Sequence, residues 1–155
     1  MRFLRLILLI GLATGYHNAF ALENEFSAGV AAISPTGLTF KLWTSRNNAV
    51  DFFTAWSSHE NKIQFHIDYL NHDFSAIEIE PGAMAFYYGF GIRMSAKKNS
   101  STKGGFRIPL GVTYLMENIP LDFFGELAPR SNLFPNTNFA TDVMVGIRYR
   151  LNPRK

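Results

Sequence analysis

The chain has 155 residues, no cysteine, a formal charge of +3, and is 47% hydrophobic with fifteen phenylalanines. Without thiols it has neither a disulfide framework nor thiolate chemistry. Two of the fifteen basic residues, Arg2 and Arg5, fall in the leading stretch, leaving thirteen against twelve acidic residues, a net of +1 that gives no case for nucleic-acid binding.

That leading stretch, MRFLRLILLIGLATGYHNAFA (1–21), combines two arginines with an apolar run from Leu6 to Ala13 and the small-x-small ending Ala19-Phe20-Ala21. These are the marks of a secretory signal peptide cleaved after Ala21. The run is well short of the ~20 apolar residues that a membrane-spanning helix needs. No cysteine follows it to carry a lipid. An exported segment, 22–155, is the size of one domain.

No part of that segment holds a helical period, and turn signals recur every eight to fifteen residues. Eight strands are expected, at 25–33, 38–45, 49–58, 62–71, 83–96, 105–116, 121–129 and 139–151. Ser34-Pro35-Thr36-Gly37, Ser45-Arg46-Asn47-Asn48, Ser58-His59-Glu60-Asn61 and Glu117-Asn118-Ile119-Pro120 supply short turns. Longer links are read at 71–82, 97–105 and 130–138. Pro109 falls inside a strand, where its missing N–H removes a ladder bond and suggests a local bulge.

Strand parity then separates two faces. Along the last five strands one parity is almost wholly apolar and carries no charge, as in Phe106, Ile108, Leu110, Val112, Tyr114 and Met116. The other parity mixes charges with small residues such as Ala85, Gly89, Gly91, Gly111 and Gly146. A water-facing surface would be rich in long charged side chains, whereas small residues and a few charges suit the crowded interior of a narrow barrel. An apolar stretch of ~9–11 residues crosses a membrane when tilted. Tyr69, Tyr114 and Tyr149 stand near strand ends, as interfacial aromatics do. The expectation is an all-β, eight-stranded antiparallel up-and-down transmembrane β-barrel following a cleaved signal peptide.

The interior would then hold Lys41, Arg93, Arg107, Arg148 and Arg150 against Asp51, Asp68, Asp122, Glu126 and Asp142. Five cations against five carboxylates imply a paired network that plugs the lumen, since unpaired buried charges are costly. A small polar pore or proton path is the alternative. His66 with Asp68 and Glu126 resembles part of a serine-activating site, but no accompanying serine is found in the sequence pattern. Neither a catalytic set nor a metal site is expected; His66, Asp68 and His72 are strung too far along one strand to meet at a single ion. Lys97, Lys98 and Lys103 lie in a basic loop suited to an anionic surface.

Near the C-terminus, Gly146, Tyr149 and Leu151 have the spacing of the signal that outer-membrane barrels present to their insertion machinery, although Met144 replaces a usual polar residue and Asn152–Lys155 follow. The segments SPTGLTFKLW (34–43), NAVDFFTAWS (48–57), FHIDYL (65–70), FYYGFGIRM (86–94), RIPLGVTYL (107–115) and PLDFFGELAP (120–129) occur in order. Together they resemble a small eight-stranded outer-membrane β-barrel family with a Borrelia-type prototype, similar in architecture to the OmpA transmembrane domain and to OmpX. The resemblance implies a bacterial outer-membrane location and no settled activity. Expected partners are outer-membrane lipid and lipopolysaccharide, the barrel-insertion machinery and a surface ligand at the outer loops, with no nucleic acid, no cofactor and a monomeric state. A lipid-modifying enzyme and a soluble periplasmic lipid-binding barrel are the other readings.

Overall fold

In the computed structural model, the residues described are 22–32 and 36–151. The signal-peptide reading (1–21) lies outside them. The strands are β1 (Phe26–Ala32), β2 (Gly37–Trp43), β3 (Asn48–Ser57), β4 (Lys62–Asp73), β5 (Ala83–Lys97), β6 (Lys103–Arg107), β7 (Leu110–Leu115), β8 (Leu121–Phe134) and β9 (Asn138–Arg150). Apart from β6 and β7, which do not pair with each other, consecutive strands pair antiparallel. β9 also pairs with β1, which closes the sheet into a ring. β6 and β7 occupy one position in that ring, both lying between β5 and β8. The fold is therefore an eight-position up-and-down barrel, and closure leaves no free sheet edge along it.

Two expectations need correction. The strand expected over 105–116 is interrupted at Ile108 and Pro109, yet no residue is inserted there. Arg107 faces Gly91 and Leu110 faces Tyr88, three steps along each strand. Pro109 accepts a bond from the Gly89 N–H at 3.0 Å but has no N–H to return. The irregularity in register sits instead between Gly104 and Gly105. The segment 130–138, expected as a long loop, is mostly strand: β8 runs on to Phe134 and β9 begins at Asn138.

Local chemistry explains the reversals. The β2–β3 turn is held by Thr44 N–H to Asn48 O at 2.9 Å, and the Asn48 N–H donates to Ser45 Oγ at 3.1 Å. Asn61 and Asn99 take the left-handed conformation in the turns after β3 and β5, a role that asparagine tolerates better than most side chains.

Burial alternates along the strands with period two. The outward parity presents Val30, Phe52, Ile63, Phe90, Ile92, Leu127 and Val145, with Phe90 54% and Ile63 59% exposed. The inward parity carries the buried charges. We call the end with Leu22 and Leu151 the base. It bears the connections 44–47, 74–82 and 116–120. The opposite end, with connections 58–61, 98–102 and 135–137, is the mouth.

Candidate functional site: the charged lumen

The base is closed by side chains. Leu22, Trp43, Ala49 and Leu115 form a buried apolar cluster, with Phe74 and Ala83 packed against it. Beside it, Arg150 Nε donates to Glu25 Oε1 at 2.7 Å and its Nη1 to the Met116 carbonyl at 3.2 Å. Burial pushes the Glu25 carboxyl above its ordinary pKa, and the Arg150 charge opposes that shift.

Above this closure lies Lys41, fully buried. Its ammonium donates to His72 Nε2 at 3.1 Å and stands 5.1 Å from the centres of both the Trp43 and Tyr87 rings. His72 Nδ1 faces the Asn47 carbonyl at 3.2 Å. The proton therefore belongs on Nδ1, leaving the Nε2 lone pair for the lysine. Aromatic faces, a neutral imidazole and the Asp51 carboxylate opposite it on β3 compensate this cation.

Two arginine nodes fill the middle. Arg148 reaches Asp51 at 2.8 Å, Asp122 at 3.4 Å and Thr39 Oγ1 at 3.0 Å, and its guanidinium lies 3.8 Å from the centre of the Phe124 ring. Thr113 donates its hydroxyl to Asp122. Arg107 hydrogen-bonds Glu126, stands 3.5 Å from Asp68 and lies against the His66 imidazole at 2.7 Å from Nε2. The Tyr87 hydroxyl donates to the second Glu126 oxygen at 3.0 Å.

Nearest the mouth, Arg93 donates to Asn132 Oδ1 at 2.8 Å and Gln64 Oε1 at 3.2 Å. Asp142 accepts from Arg130 at 2.8 Å and faces Arg93 at 3.8 Å. The buried set is then Lys41, Arg93, Arg107, Arg148 and Arg150 against Glu25, Asp51, Asp68, Asp122 and Glu126. The partly exposed pair Arg130–Asp142 adds one of each sign. Formal charge cancels.

All ten lumen residues named from the sequence face inward, although Asp142 is only partly buried. They do not meet at one centre; they form separate nodes at different heights. Sequence reasoning missed Glu25, which lies one step before β1 on the parity of Ser27. It missed Arg130 too, which continues the parity of Asp122 and Glu126 past Pro129. His66 and Glu126 converge on Arg107 rather than on a serine, and His72 is turned to Lys41.

Gly146 faces inward against the Phe124 ring, whereas Tyr149 and Leu151 face outward, 52% and 51% exposed. Lys97, Lys98 and Lys103 stand exposed at the mouth. A shallow apolar groove of about 540 Å³ on the outer wall is lined by Val30, Val112, Tyr114, Phe123, Gly125 and Val145 among others.

This architecture has a solved counterpart. The chain is similar to the N-terminal β-barrel domain of Pseudomonas aeruginosa OprF in its crystal structure, with a TM-score of 0.52 and 12% identity. The match covers 83% of this chain and 98% of that domain. At such identity the likeness concerns the fold alone. No protein-family model and no curated protein matches the sequence. Nothing among these matches bears on the Borrelia-type family that the motifs resemble.

Proposed function

We propose that the chain is an exported bacterial outer-membrane β-barrel protein whose role is structural or interactive rather than catalytic. The observation that carries this reading is the outward apolar wall around an inward, charge-neutral lumen. A wall exposing Phe86, Tyr88, Phe90, Ile92 and Met94 along a single strand exceeds the apolar patches that soluble monomers tolerate. It is the surface a bilayer covers. Outward Tyr69, Tyr88, Tyr114 and Tyr149 lie toward the base end, and outward Trp56 toward the mouth, in keeping with aromatic girdles. A soluble lipid carrier would need the apolar face to line a cavity, and here it lies outside.

The lumen suits a plug. A narrow pore requires a water path past Arg93 and Glu126, yet both are tied across the barrel to residues of other strands. The partners that fit are lipid and lipopolysaccharide around the wall, and insertion machinery recognising Gly146, Tyr149 and Leu151. A surface ligand would approach the mouth loops with Lys97, Lys98 and Lys103. A ring with every position paired supports a monomer. Fractionation with gel migration before and after boiling tests the reading. Outer-membrane recovery with a mobility shift is expected; a soluble periplasmic protein without a shift would refute it.

A further inference from the structure

Four lysines gather on neighbouring hairpins at the mouth. Lys62 of β4 is directly opposite Lys97 of β5. Lys103 of β6 is opposite Ser95, two residues before Lys97, so it stands on the diagonal at about 7–8 Å. Lys98 opens the turn, its N–H bonded to the Asn61 carbonyl at 2.9 Å. Like charges directly opposite on a sheet are destabilising. Among the described residues no carboxylate lies within salt-bridge distance of these ammonium groups. The described mouth connections contain a single acidic residue, Glu60.

Among the described residues the base has the reverse character: Glu23, Glu78, Glu80 and Glu117 stand on its segments against Arg46. Charge is thus sorted by end. Parity sorts it again, because Lys62, Lys97 and Lys103 share the inward parity of Gln64, Arg93 and Arg107. Their stems rise over the opening rather than along the outer wall. Just inside, Arg93 and Arg130 share one carboxylate, Asp142, which deepens the positive field.

We infer that the mouth is a docking surface for a polyanionic glycan, a sugar chain bearing repeated sulfate or phosphate groups, approaching along the barrel axis. This rests on the proposed outward orientation of the mouth. Lysine ammonium groups are flexible point charges that suit repeated anions without demanding one geometry. Leu133, Phe134 and Phe139 stand exposed on the β8–β9 hairpin, but the lysine-bearing turns 58–61 and 98–102, built of Ser, His, Glu, Asn, Thr and Lys, offer none of the large apolar anchors that dominate protein–protein contacts. They likewise offer no aromatic platform for stacked bases. Lipid phosphates lie beside the outer wall, the side from which these stems turn away.

The test uses the full mature chain, folded in detergent, titrated by calorimetry with dextran sulfate and with uncharged dextran. Binding to the sulfated chain alone is expected, weakening as salt rises. Each of Lys62→Ala, Lys97→Ala and Lys103→Ala should weaken it about fivefold, and the triple variant should lose it. Arg46→Glu at the base should bind as the parent does. Heat-modifiable migration confirms that each variant is folded. Sulfated-glycan binding that survives the triple variant overturns the proposal. So does a triple variant that loses adhesion to phosphatidylglycerol vesicles while the parent shows no glycan binding, which would assign the lysines to lipid. Failure of the parent to enter bilayers refutes the membrane reading instead, and is scored separately from glycan binding.

Discussion

Arg148 joins more of the lumen than any neighbour, and its removal has a calculable cost. It is 2% exposed and bonds Asp51 at 2.8 Å and Asp122 at 3.4 Å. Arg148 holds Asp51 through Oδ2, and the buried Oδ1 has no hydrogen-bond partner among the described residues. Replacing Arg148 by Met keeps an apolar stem of comparable length beside Phe124 but strands two buried carboxylates. Breaking a buried pair by deleting one partner costs about 3–5 kcal/mol. At about 1.4 kcal/mol per factor of ten, 3 kcal/mol already raises the unfolding constant more than a hundredfold. Urea titration in lipid vesicles, followed by gel mobility, measures it. Neutralising one carboxylate as well, in Arg148→Met/Asp122→Asn, removes one charge of each sign and leaves Asp51 opposite Lys41, so it should recover most of the loss, because what costs is the unpaired charge. A single variant within 1 kcal/mol of the parent would refute the paired-plug account.

Other outcomes follow from the same geometry. A Cβ on Gly91 would collide with Asp68 Oδ1 and come within 2.6 Å of the Ile67 carbonyl oxygen, so Gly91→Ala should cost about 1–3 kcal/mol in urea unfolding. Gly125 has nothing within 4 Å of such a Cβ, and Gly125→Ala should stay within about 0.5 kcal/mol. Phe90→Arg, on the outer wall of β5, should cost about 2–4 kcal/mol in vesicles if it sits near the bilayer midplane. Trp43→Ala should cost about 3–5 kcal/mol in the same assay, as the base closure opens.

The barrel was legible because one physical signal, the two-residue period, runs through every strand and assigns each side chain to a face. That sufficed for who is inside. It did not give partners. Arg148 bonds Thr39 and Asp51, both distant in sequence, and which residues share a height depends on the stagger of strands around the ring. Strand ends were the other gap. Pro129 with the polar residues after it read as a loop, yet β8 continues because the Pro129 carbonyl still accepts from the Ile108 N–H at 2.9 Å. That hid Arg130. Pro109 suggested a bulge, but a missing donor need not insert a residue. The shift lies at Gly104 and Gly105, whose lack of side chains the sequence displayed without a consequence for register.

The chain's two tryptophans divide the central claim between them. Trp56 is 58% exposed on the outer wall, and Trp43 is fully buried in the base closure. Trp43→Phe and Trp56→Phe variants, each folded into bilayers of phosphatidylcholine brominated near the headgroup end of its acyl chains, isolate one emission at a time. The account predicts strong quenching of Trp56 and little of Trp43. Equal quenching of both, or quenching of Trp43 alone, would contradict a barrel that turns its apolar face to lipid and its charges inward.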